Sequence, residues 1–387
     1  VIGNTITDEA VIRSEFLLDE GDPFNFLKLD QSIARLKSRN LFGEIKKNVT
    51  EGSNKNQKII EVNVEEKATG EISAGAGIGT NGGSLAFDVT ENNWLGQGIR
   101  VNTSLDLSSE TFTGALQITD PNFNFTGNSL NYYVVNSSND RPSSGFKNNV
   151  TTTGVGTKFE QYRNVYISPG VNLSYDDLKV KSTASEGLKK QKGTFTDLNF
   201  DYGITLDNRD RVYSPTDGYI STFKQVIPIY ADTPYLQNTF AFSKYQTFSP
   251  DAIGAFRFYT SSINGLDDKD VRLSKRTNLP SNRLRGFEAG KVGPKDGADY
   301  VGGNYAAAAN FEVNLPNILP ESTKTDIGLF VDVGNVWHVD YDRSAGESNK
   351  IRSATGVNTS WLSPAGPMTF IFSKNITAAE SDVTESF

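Results

Sequence analysis

Alternation of apolar and polar residues is the feature that most constrains this chain. From residue 71 onward, segment after segment alternates with a period of two, and no stretch shows helical spacing. Leu85, Phe87 and Val89, for example, are separated by single small or polar residues. A period of two places successive side chains on opposite faces of a strand. The chain beyond residue 70 is therefore predicted to be an antiparallel β structure in which each strand has one apolar face.

Two architectures accommodate such strands. In a soluble sandwich the apolar faces form the core, whereas in a membrane barrel they meet lipid. The predicted strands are long, aromatic residues cluster near their ends, and two connections are much longer than the rest, which favours the barrel. The chain has a mean hydropathy of -0.42 and no run of roughly 18 apolar residues, which excludes only a helical membrane protein.

Residues 1–69 follow a different pattern and are predicted to form a small α+β domain. Thr7 can cap a first helix that runs to about Leu18. A second helix places Phe26, Leu29, Ile33 and Leu36 on one face at helical spacing. Two short strands follow, and the second of them, over residues 58–66, alternates apolar with polar side chains.

Fifteen strands are predicted between residues 71 and 376, and a sixteenth would begin near Thr384 and be cut off at Phe387. Closed single-chain bacterial barrels contain an even number of strands. The predicted fold class is therefore mostly β: a 16-stranded antiparallel transmembrane β-barrel over residues 70–387, with its last strand truncated. If the first strand starts on the side of the N-terminal domain, the three longest connections all fall at the opposite, outer end: 179–193, 264–302 and 338–350.

Composition limits the chemistry that is available. The chain has no Cys, which excludes disulfides and thiol catalysis. Its net charge of -8 and its lack of a basic cluster argue against nucleic-acid binding. The single histidine, His338, lies near Asp340 and Asp342, but no second histidine is present to complete a common metal or hydrolytic site. We therefore predict no catalytic residue, no metal site and no cofactor.

One loop motif and one strand motif are candidates for a functional contact. Arg285, Gly286 and Phe287 lie in the longest strand-poor stretch, and a strand containing Asp332 follows. In that strand the alternate residues from 327 to 333 are aliphatic, and Asp332 lies on the other face. The aliphatic face must meet lipid, because a carboxylate near mid-membrane costs several kcal/mol. Asp332 is therefore predicted to point into the lumen.

The first predicted barrel strand, residues 71–79, has unusually small side chains. Glycines weaken strand pairing, and small residues contribute little packing. The strand could simply keep the lumen clear for a loop that folds inside. It could instead form a closing seam that is built to open. The candidate seam residues are Ile72, Ala74, Gly75, Ala76, Gly77, Ile78 and Gly79.

Together these patterns resemble the BamA family of outer-membrane assembly barrels. The resemblance covers almost the whole chain and rests on the motifs at 283–287 and 328–337 and on the predicted turns at 92–98, 119–123 and 207–218. It implies that residues 264–302 fold back into the lumen and that Arg285 pairs with Asp332 through a bidentate, charge-assisted contact. The same segment carries arginines that suit a lumen lined by Asp and Glu: Arg272, Arg276, Arg283 and Arg285. It also implies that residues 1–69 are a POTRA domain, trimmed at its start and the last of a series.

The resemblance implies an outer-membrane protein assembly factor that folds and inserts β-barrel proteins, using a weak lateral seam and strand-edge contacts of the POTRA domain. The implied partners are unfolded outer-membrane protein clients, accessory outer-membrane lipoproteins and outer-membrane lipid. The implied location is the bacterial outer membrane, with the POTRA domain in the periplasm.

The alternative function is that of a related POTRA-barrel translocation or secretion pore, either TamA-like or a two-partner transporter. The single histidine disfavours a third hypothesis, an outer-membrane lipase.

Overall fold

The structure is a computed structural model that describes residues 1–54, 56–79, 82–140, 142–341, 350–363 and 366–386. Three α-helices lie in these ranges: α1 (Glu9–Arg13), α2 (Phe26–Ser38) and α3 (Glu186–Lys189). Within the same ranges, none of the helices has the length and apolar character needed to cross a bilayer. The strands are β1 (Phe42–Glu51), β2 (Lys58–Glu66), β3 (Gly70–Gly79), β4 (Gly82–Trp94), β5 (Ile99–Ser108), β6 (Thr111–Asp120), β7 (Ser129–Asp140), β8 (Phe146–Tyr162), β9 (Val165–Val180), β10 (Gly193–Asp207), β11 (Gly218–Ala231), β12 (Tyr235–Ser249), β13 (Ala252–Gly265), β14 (Lys295–Asp296), β15 (Asp299–Tyr300), β16 (Tyr305–Leu315), β17 (Thr325–Trp337), β18 (Arg352–Ser363) and β19 (Gly366–Thr377).

The N-terminal domain packs α1 and α2 against the antiparallel hairpin of β1 and β2. Leu29, Ile33 and Leu36 of α2 recur at helical spacing and are buried against Val62 and Val64, alternate residues of β2. Phe26, the first residue of α2, was expected on the same face but is 57% exposed. The apolar face of α2, which has a helical period, and the apolar face of β2, which has a period of two, thus form one core.

The first helix differs from the sequence expectation. The α1 helix spans only Glu9–Arg13, and Asp8 rather than Thr7 precedes it. The Thr7 hydroxyl instead accepts a hydrogen bond of 2.9 Å from the side-chain amide of Asn93, near the end of β4, where the pairing with β5 is irregular. The expectation that Thr7 caps a long helix was therefore wrong, because a long-range contact engages this hydroxyl.

The rest of the chain forms one antiparallel sheet of fifteen strands, in agreement with the count made from the sequence. The sheet runs from β3 to β13 in chain order and continues through β16 to β19. Each of these strands pairs with the next along this order. Beyond Thr377, residues 378–386 form no further strand of the sheet, so the sixteenth strand stays a prediction.

The sheet curls on itself. Two adjacent residues of β15 touch distant parts of it: the Asp299 carboxylate lies beside Gly145, between β7 and β8, and the Tyr300 hydroxyl donates to the carbonyl of Ser381, after β19. Nine strands separate β7 from β19 in the sheet order. In a flat sheet these neighbours would lie roughly 45–50 Å apart, at about 4.8 Å per strand. The inner face of the sheet therefore surrounds the connection between β13 and β16.

Candidate functional site

The connection between β13 and β16 lies inside the curled sheet, and we call it the lumen loop. It comprises residues 266–304, close to the 264–302 expected from the sequence. Two 3₁₀ turns, Leu273–Lys275 and Ser281–Arg283, and the short hairpin of β14 and β15 divide it into compact pieces. Leu284 and Phe287 are buried in an apolar cluster that the loop forms with the inner face of the sheet. The loop therefore has its own packed contact with the wall.

Arg285 of the lumen loop contacts Asp332 of β17. Its guanidinium donates from Nε to Asp332 Oδ2 at 2.7 Å and from Nη2 to Oδ1 at 2.8 Å. Its backbone N–H also donates to Oδ2, at 3.0 Å. Asp332 lies opposite Asn310 and Ala354 in the strand register, and both are buried beneath the loop. The side chain thus points inward, as the parity of its strand predicts, and the two residues meet in a bidentate pair.

Two further charges complete the cluster around Arg285. Its Nη1 donates to Glu312 Oε2 on β16 at 2.9 Å, and Arg257 Nη1 on β13 donates to the same oxygen at 3.1 Å. The four side chains carry two positive and two negative formal charges, which balance. Arg285, Glu312 and Asp332 are buried, whereas the Arg257 side chain is 27% exposed. The guanidinium of Arg285 also lies 3.6 Å from the ring centre of Phe330, a favourable cation–π distance. Glu312 was not among the site residues predicted from the sequence, although its alternation with apolar neighbours in β16 places it on the lumen face.

Gly286 and Phe287, which follow Arg285 in the loop, contact the inner face of the sheet. The carbonyl of Gly286 accepts a hydrogen bond of 2.8 Å from the side-chain amide of Asn375 on β19. Gly286 has a φ of +89°, and a Cβ there would lie 3.1 Å from the Cβ of Ala354 and 3.2 Å from the hydroxyl of Ser373. Glycine is needed here for both backbone conformation and close approach to the wall. Phe287 is 4% exposed in the apolar cluster.

A second anchor lies nearer the start of the loop. Arg272 donates from Nη2 to Asp197 of β10 at 2.5 Å, and its Nε lies 3.2 Å from Asp176 of β9. All three side chains are buried, and the guanidinium lies 4.4 Å from the ring centre of Phe195. The loop is therefore tied to two walls, at β9 and β10 by Arg272 and at β16 and β17 by Arg285. Loop arginines suited to an acidic lumen were expected from the sequence, but their individual partners were not.

The base of the loop is fixed near the end of β17. Arg276 forms an ion pair with Asp340, whose carboxylate also accepts from the backbone of Val271 and the side chain of Asn304 at 2.9 Å each. His338 stacks on Tyr305 with ring centres 5.4 Å apart. Asp342, the third residue weighed for a metal site, lies outside the described residues. Within the described ranges, no three His, Asp or Glu side chains are grouped to hold a metal.

The candidate seam residues lie on β3, which is at one edge of the described sheet and pairs there with β4. Residues 71–77 are all exposed, and Ala74 lies opposite Phe87 of β4. Ile78 and Gly79 continue the backbone pairing, whereas their side-chain surroundings lie outside the described structure. From residue 73 to residue 77 the strand therefore presents small, exposed side chains to both faces.

The N-terminal domain contacts the turn between β4 and β5. Besides the bond between Thr7 and Asn93, Arg39 donates to the carbonyl of Gly98 at 2.9 Å. Glu66 fixes the segment that leads to this contact by accepting from Thr5 and from the backbone N–H of Thr7. Burial raises the pKa of Glu66, but hydrogen bonds from Thr5 and Thr7 outweigh burial and lower the pKa from 4.5 to about 2. The carboxylate therefore holds Thr5 and Thr7 at the junction between the N-terminal domain and the barrel.

Comparisons with known proteins identify the family. The family model of the Omp85 superfamily domain matches residues 93–387. The chain belongs to the Omp85 superfamily. A POTRA family model, described as a surface antigen variable number repeat, matches residues 1–67. The expected order, a POTRA domain followed by an antiparallel β-barrel, is thereby confirmed for this Omp85 chain.

Two curated relatives carry the name outer membrane protein assembly factor BamA. The protein from Neorickettsia risticii is 26% identical over 392 residues, covering 99% of this chain and 52% of its own length. The protein from Neisseria meningitidis is 25% identical, covering 100% of this chain and 55% of its own length. The Omp85 chain thus spans about half the length of these relatives. The resemblance to the BamA family drawn from the sequence is confirmed.

Solved structures show the same fold. BamA from Haemophilus ducreyi lacking POTRA domains 1–3 superposes with a TM-score of 0.86 at 22% identity, covering 99% of this chain and 81% of that one. CdiB from Acinetobacter baumannii superposes with a TM-score of 0.62 at 12% identity, covering 99% and 70%. The Omp85 barrel described above is therefore nearer in shape to the BamA structure than to CdiB.

Proposed function

We propose that this chain is the β-barrel and adjoining POTRA domain of an outer-membrane protein assembly factor, which folds β-barrel clients and inserts them into the outer membrane. One observation carries the proposal: Asp332 and Glu312 hold the side chain of Arg285 inside the lumen. This is the contact between loop and strand that the resemblance to assembly barrels implies. The names of the curated relatives support the same function.

The proposed activity needs no catalytic residue, nucleotide or cofactor. A client strand gains free energy when its apolar face enters lipid and when its backbone groups find partners in a closed ladder. The factor only lowers the barrier to that process, so the protein is proposed to be an assembly factor rather than an enzyme. The client must meanwhile find temporary partners for its unpaired backbone groups.

The seam at β3 is proposed to provide those partners. Gly75 and Gly77 leave little side-chain packing on the lumen face, and Ala74 and Ala76 leave little on the lipid face. Strand pairs are stabilised largely by cross-strand side-chain contacts, so a seam built on this strand is weaker than the other pairs. A weak seam can open and let a client strand pair with its edge.

The proposed partners are unfolded outer-membrane protein clients, accessory outer-membrane lipoproteins and outer-membrane lipid. The POTRA domain, proposed as residues 1–69, would lie in the periplasm, and the barrel, proposed as residues 70–387, would cross the outer membrane. The contact between Thr7 and the side chain of Asn93 then lies at the periplasmic end of the barrel. A secretion pore is the second hypothesis, because CdiB shares the fold at lower similarity.

A reversible cross-link at the seam tests the proposal. Residues 1–387 contain no native Cys, so a disulfide between Ala74→Cys and a Cys introduced on the facing strand of the full-length protein has no competing thiol within this part of the chain. The cross-linked protein, placed in lipid vesicles, is expected to stop folding an added barrel client, and reduction is expected to restore folding. Client folding is measured by the shift in gel mobility of the folded client. If the cross-linked form folds the client at the normal rate, the seam mechanism is wrong. If the protein transports a soluble substrate and folds no client, the secretion pore is favoured.

A further inference from the structure

A lysine lies on the outward-facing surface of β12, among residues that face lipid in the proposed barrel. Ser243 is buried on the lumen side of the strand, and Lys244, the next residue, is exposed on the opposite side. In the strand register Lys244 lies between Tyr219 of β11 and Phe256 of β13. Within the described ranges, its ammonium forms neither an ion pair nor a hydrogen bond.

The row of the sheet that contains Lys244 is otherwise apolar on β13, β16 and β17. Phe256 pairs with Phe311, and Phe311 pairs with Val331. The ring centres of Phe256 and Phe311 lie 4.9 Å apart, and Phe311 and Val331 are exposed. Asp332, beside Val331 in the chain, points into the lumen, so this row faces outward. Lys244 is therefore a cation in a lipid-facing row.

The depth of Lys244 makes its charge unfavourable without a partner. β12 runs in the same direction as β4, whose end contacts the N-terminal domain, because the two are an even number of strands apart. Lys244 precedes Ser249, the last residue of β12, by five positions, or about 16 Å along the strand and about 12 Å in height at a tilt of about 40°. A lysine can extend its ammonium from this depth toward the headgroups. An ionisable residue in such a place indicates a functional contact.

A groove lies beside Lys244 on the same face of the wall. Its volume is about 440 Å³, within the range of roughly 300–1,000 Å³ that is typical of small-molecule sites. Gly254 leaves space in its floor, and the ring of Phe248 lies over this glycine. Gln246, opposite Gly254 in the register, adds a polar amide. The apolar side chains that line the groove include Phe248, Phe256, Phe311, Val313, Leu329 and Val331.

Two carboxylates adjoin this surface, and both have other partners. Glu312 borders the groove with its backbone, but its carboxylate lies on the lumen side and accepts from Arg257 and Arg285. Asp217, at the end of the turn before β11, accepts from the N–H of Gly218 at 2.7 Å. The charge that the groove offers to a ligand is therefore the positive charge of Lys244.

We propose that this groove binds one anionic phospholipid, from the leaflet on the side of the N-terminal domain. The ammonium of Lys244 contacts the phosphate, and an acyl chain lies over Phe256 and Phe311. A free phosphate would use only the lysine and a neutral lipid only the groove, so the two together select a lipid with net negative charge. The inference goes beyond the proposed assembly function and rests only on the proposed placement of the barrel in a membrane.

Competition between two lipids tests the site. The purified full-length protein in detergent is mixed with equal amounts of phosphatidylglycerol, which is anionic, and phosphatidylcholine, which is zwitterionic, with the same acyl chains. Native mass spectrometry measures the ratio of the two lipids in the complex with one bound lipid. The ratio is expected to fall about fivefold in Lys244→Gln, the effect of one lysine near an anionic headgroup. Lys224→Gln is the matched control, because Lys224 lies on the neighbouring strand β11 but faces the lumen, and it should leave the ratio unchanged.

A second variant tests the groove separately from the charge. Phe248→Ala removes the ring at the edge of the groove and should lower the retention of both lipids while Lys244 is present. Phe112→Ala removes an exposed ring on β6, away from the groove, and should leave retention unchanged. Excess inorganic phosphate is expected to leave phosphatidylglycerol bound, because phosphate cannot replace the contacts of the acyl chain.

Thermal unfolding in vesicles provides a measurement in a bilayer. Lys244→Gln removes a charge from a lipid-facing position, so this variant is expected to fold. The native protein should gain more stability than Lys244→Gln when phosphatidylglycerol replaces part of the phosphatidylcholine. Lys224→Gln should gain as much as the native protein.

The outcomes separate this site from the assembly function. If Lys244→Gln keeps the native lipid ratio and the native gain in stability, the lipid site is overturned while the assembly function stands. Displacement of phosphatidylglycerol by inorganic phosphate would also overturn it, because the lysine would then be a simple anion contact. If the native protein does not enter vesicles as a folded barrel, the proposed placement is wrong and the lipid site is wrong with it.

Discussion

Asp332 accepts three hydrogen bonds from Arg285, one from the backbone and two from the guanidinium, at 2.7 to 3.0 Å. A carboxylate that binds both the backbone and the side chain of one residue fixes the direction of the chain as well as its position. Asp332 is fully buried, and its charge is balanced by that of Arg285. Loss of either partner would leave an uncompensated buried charge. The lumen loop is thereby held in one orientation against β17.

Removal of the charge at Asp332 is expected to release the loop. Asp332→Asn leaves Arg285 with Glu312 alone, and the loss of one partner from a buried pair costs about 3–5 kcal/mol. Hydrogen exchange of loop amides should rise in the folded, purified protein. Arg283→Gln is the control, because Arg283 lies on the same loop and forms no ion pair within the described residues. Unchanged exchange in Asp332→Asn would show that packing alone holds the loop.

Reversal of the pair tests direct contact. Arg285→Asp with Asp332→Arg is expected to restore more assembly activity than either single change, measured as client folding in vesicles. Rescue should be partial, because Glu312 would then lie beside a new carboxylate and the three-bond geometry would be lost. Equal loss in the two single variants and the double variant would argue against direct pairing as the functional contact.

Gly286 is expected to resist substitution more than another loop glycine. Gly286→Ala brings a Cβ to 3.1 Å from the Cβ of Ala354 at a φ of +89°, so both contact and backbone conformation oppose it. Gly297→Ala is matched in backbone strain, with a φ of +62°, but has no heavy atom within 4 Å of the added Cβ. Thermal unfolding should show a larger loss of stability for Gly286→Ala. Equal losses would mean that wall contact at residue 286 contributes nothing.

The lumen loop is expected to resist protease added outside intact cells. Arg272, Arg276 and Arg285 are trypsin sites by residue type, but all three are buried. The connection between β9 and β10 contains Lys189 and Lys190 and serves as the exposed control. Trypsin should cut that connection first and leave the peptide bonds after Arg272, Arg276 and Arg285 intact. Early cleavage at the three arginines would contradict an inward-folded loop.

Acid is expected to weaken the junction between the N-terminal domain and the barrel. The pKa of Glu66 is about 2 in the folded protein and near 4.5 when unfolded, so its contribution is complete above the unfolded value and is lost as pH falls toward about 2. Backbone amides of Thr5 and Thr7, which donate to Glu66, should lose hydrogen-exchange protection in that window. Glu66→Gln should reduce their protection at neutral pH, whereas Glu65→Gln, at an exposed site, should not. If the hydrogen-exchange protection of these amides stays constant down to pH 2, the Glu66 carboxylate does not hold this segment.

Much of the fold was predictable because its signal is local. The period of two identifies each strand and assigns its faces, so the strand count and the inward direction of Asp332 followed from residue order alone. The local pattern gave a wrong prediction where a side chain contacts a residue that is distant in the chain. Thr7 was expected to cap a helix, but its hydroxyl bonds Asn93 instead, and α1 is short.

The chain's residue order determined that the lumen would be lined with acids and that the long connection would carry arginines. Only the tertiary structure decided which acid each arginine meets: Asp197 for Arg272, and Glu312 together with Asp332 for Arg285. These partners are far apart in the chain, and several lumen carboxylates are equivalent by parity. The choice among them depends on how the sheet curls and where the loop crosses it, and both are set by the packing of many strands at once rather than by any local pattern.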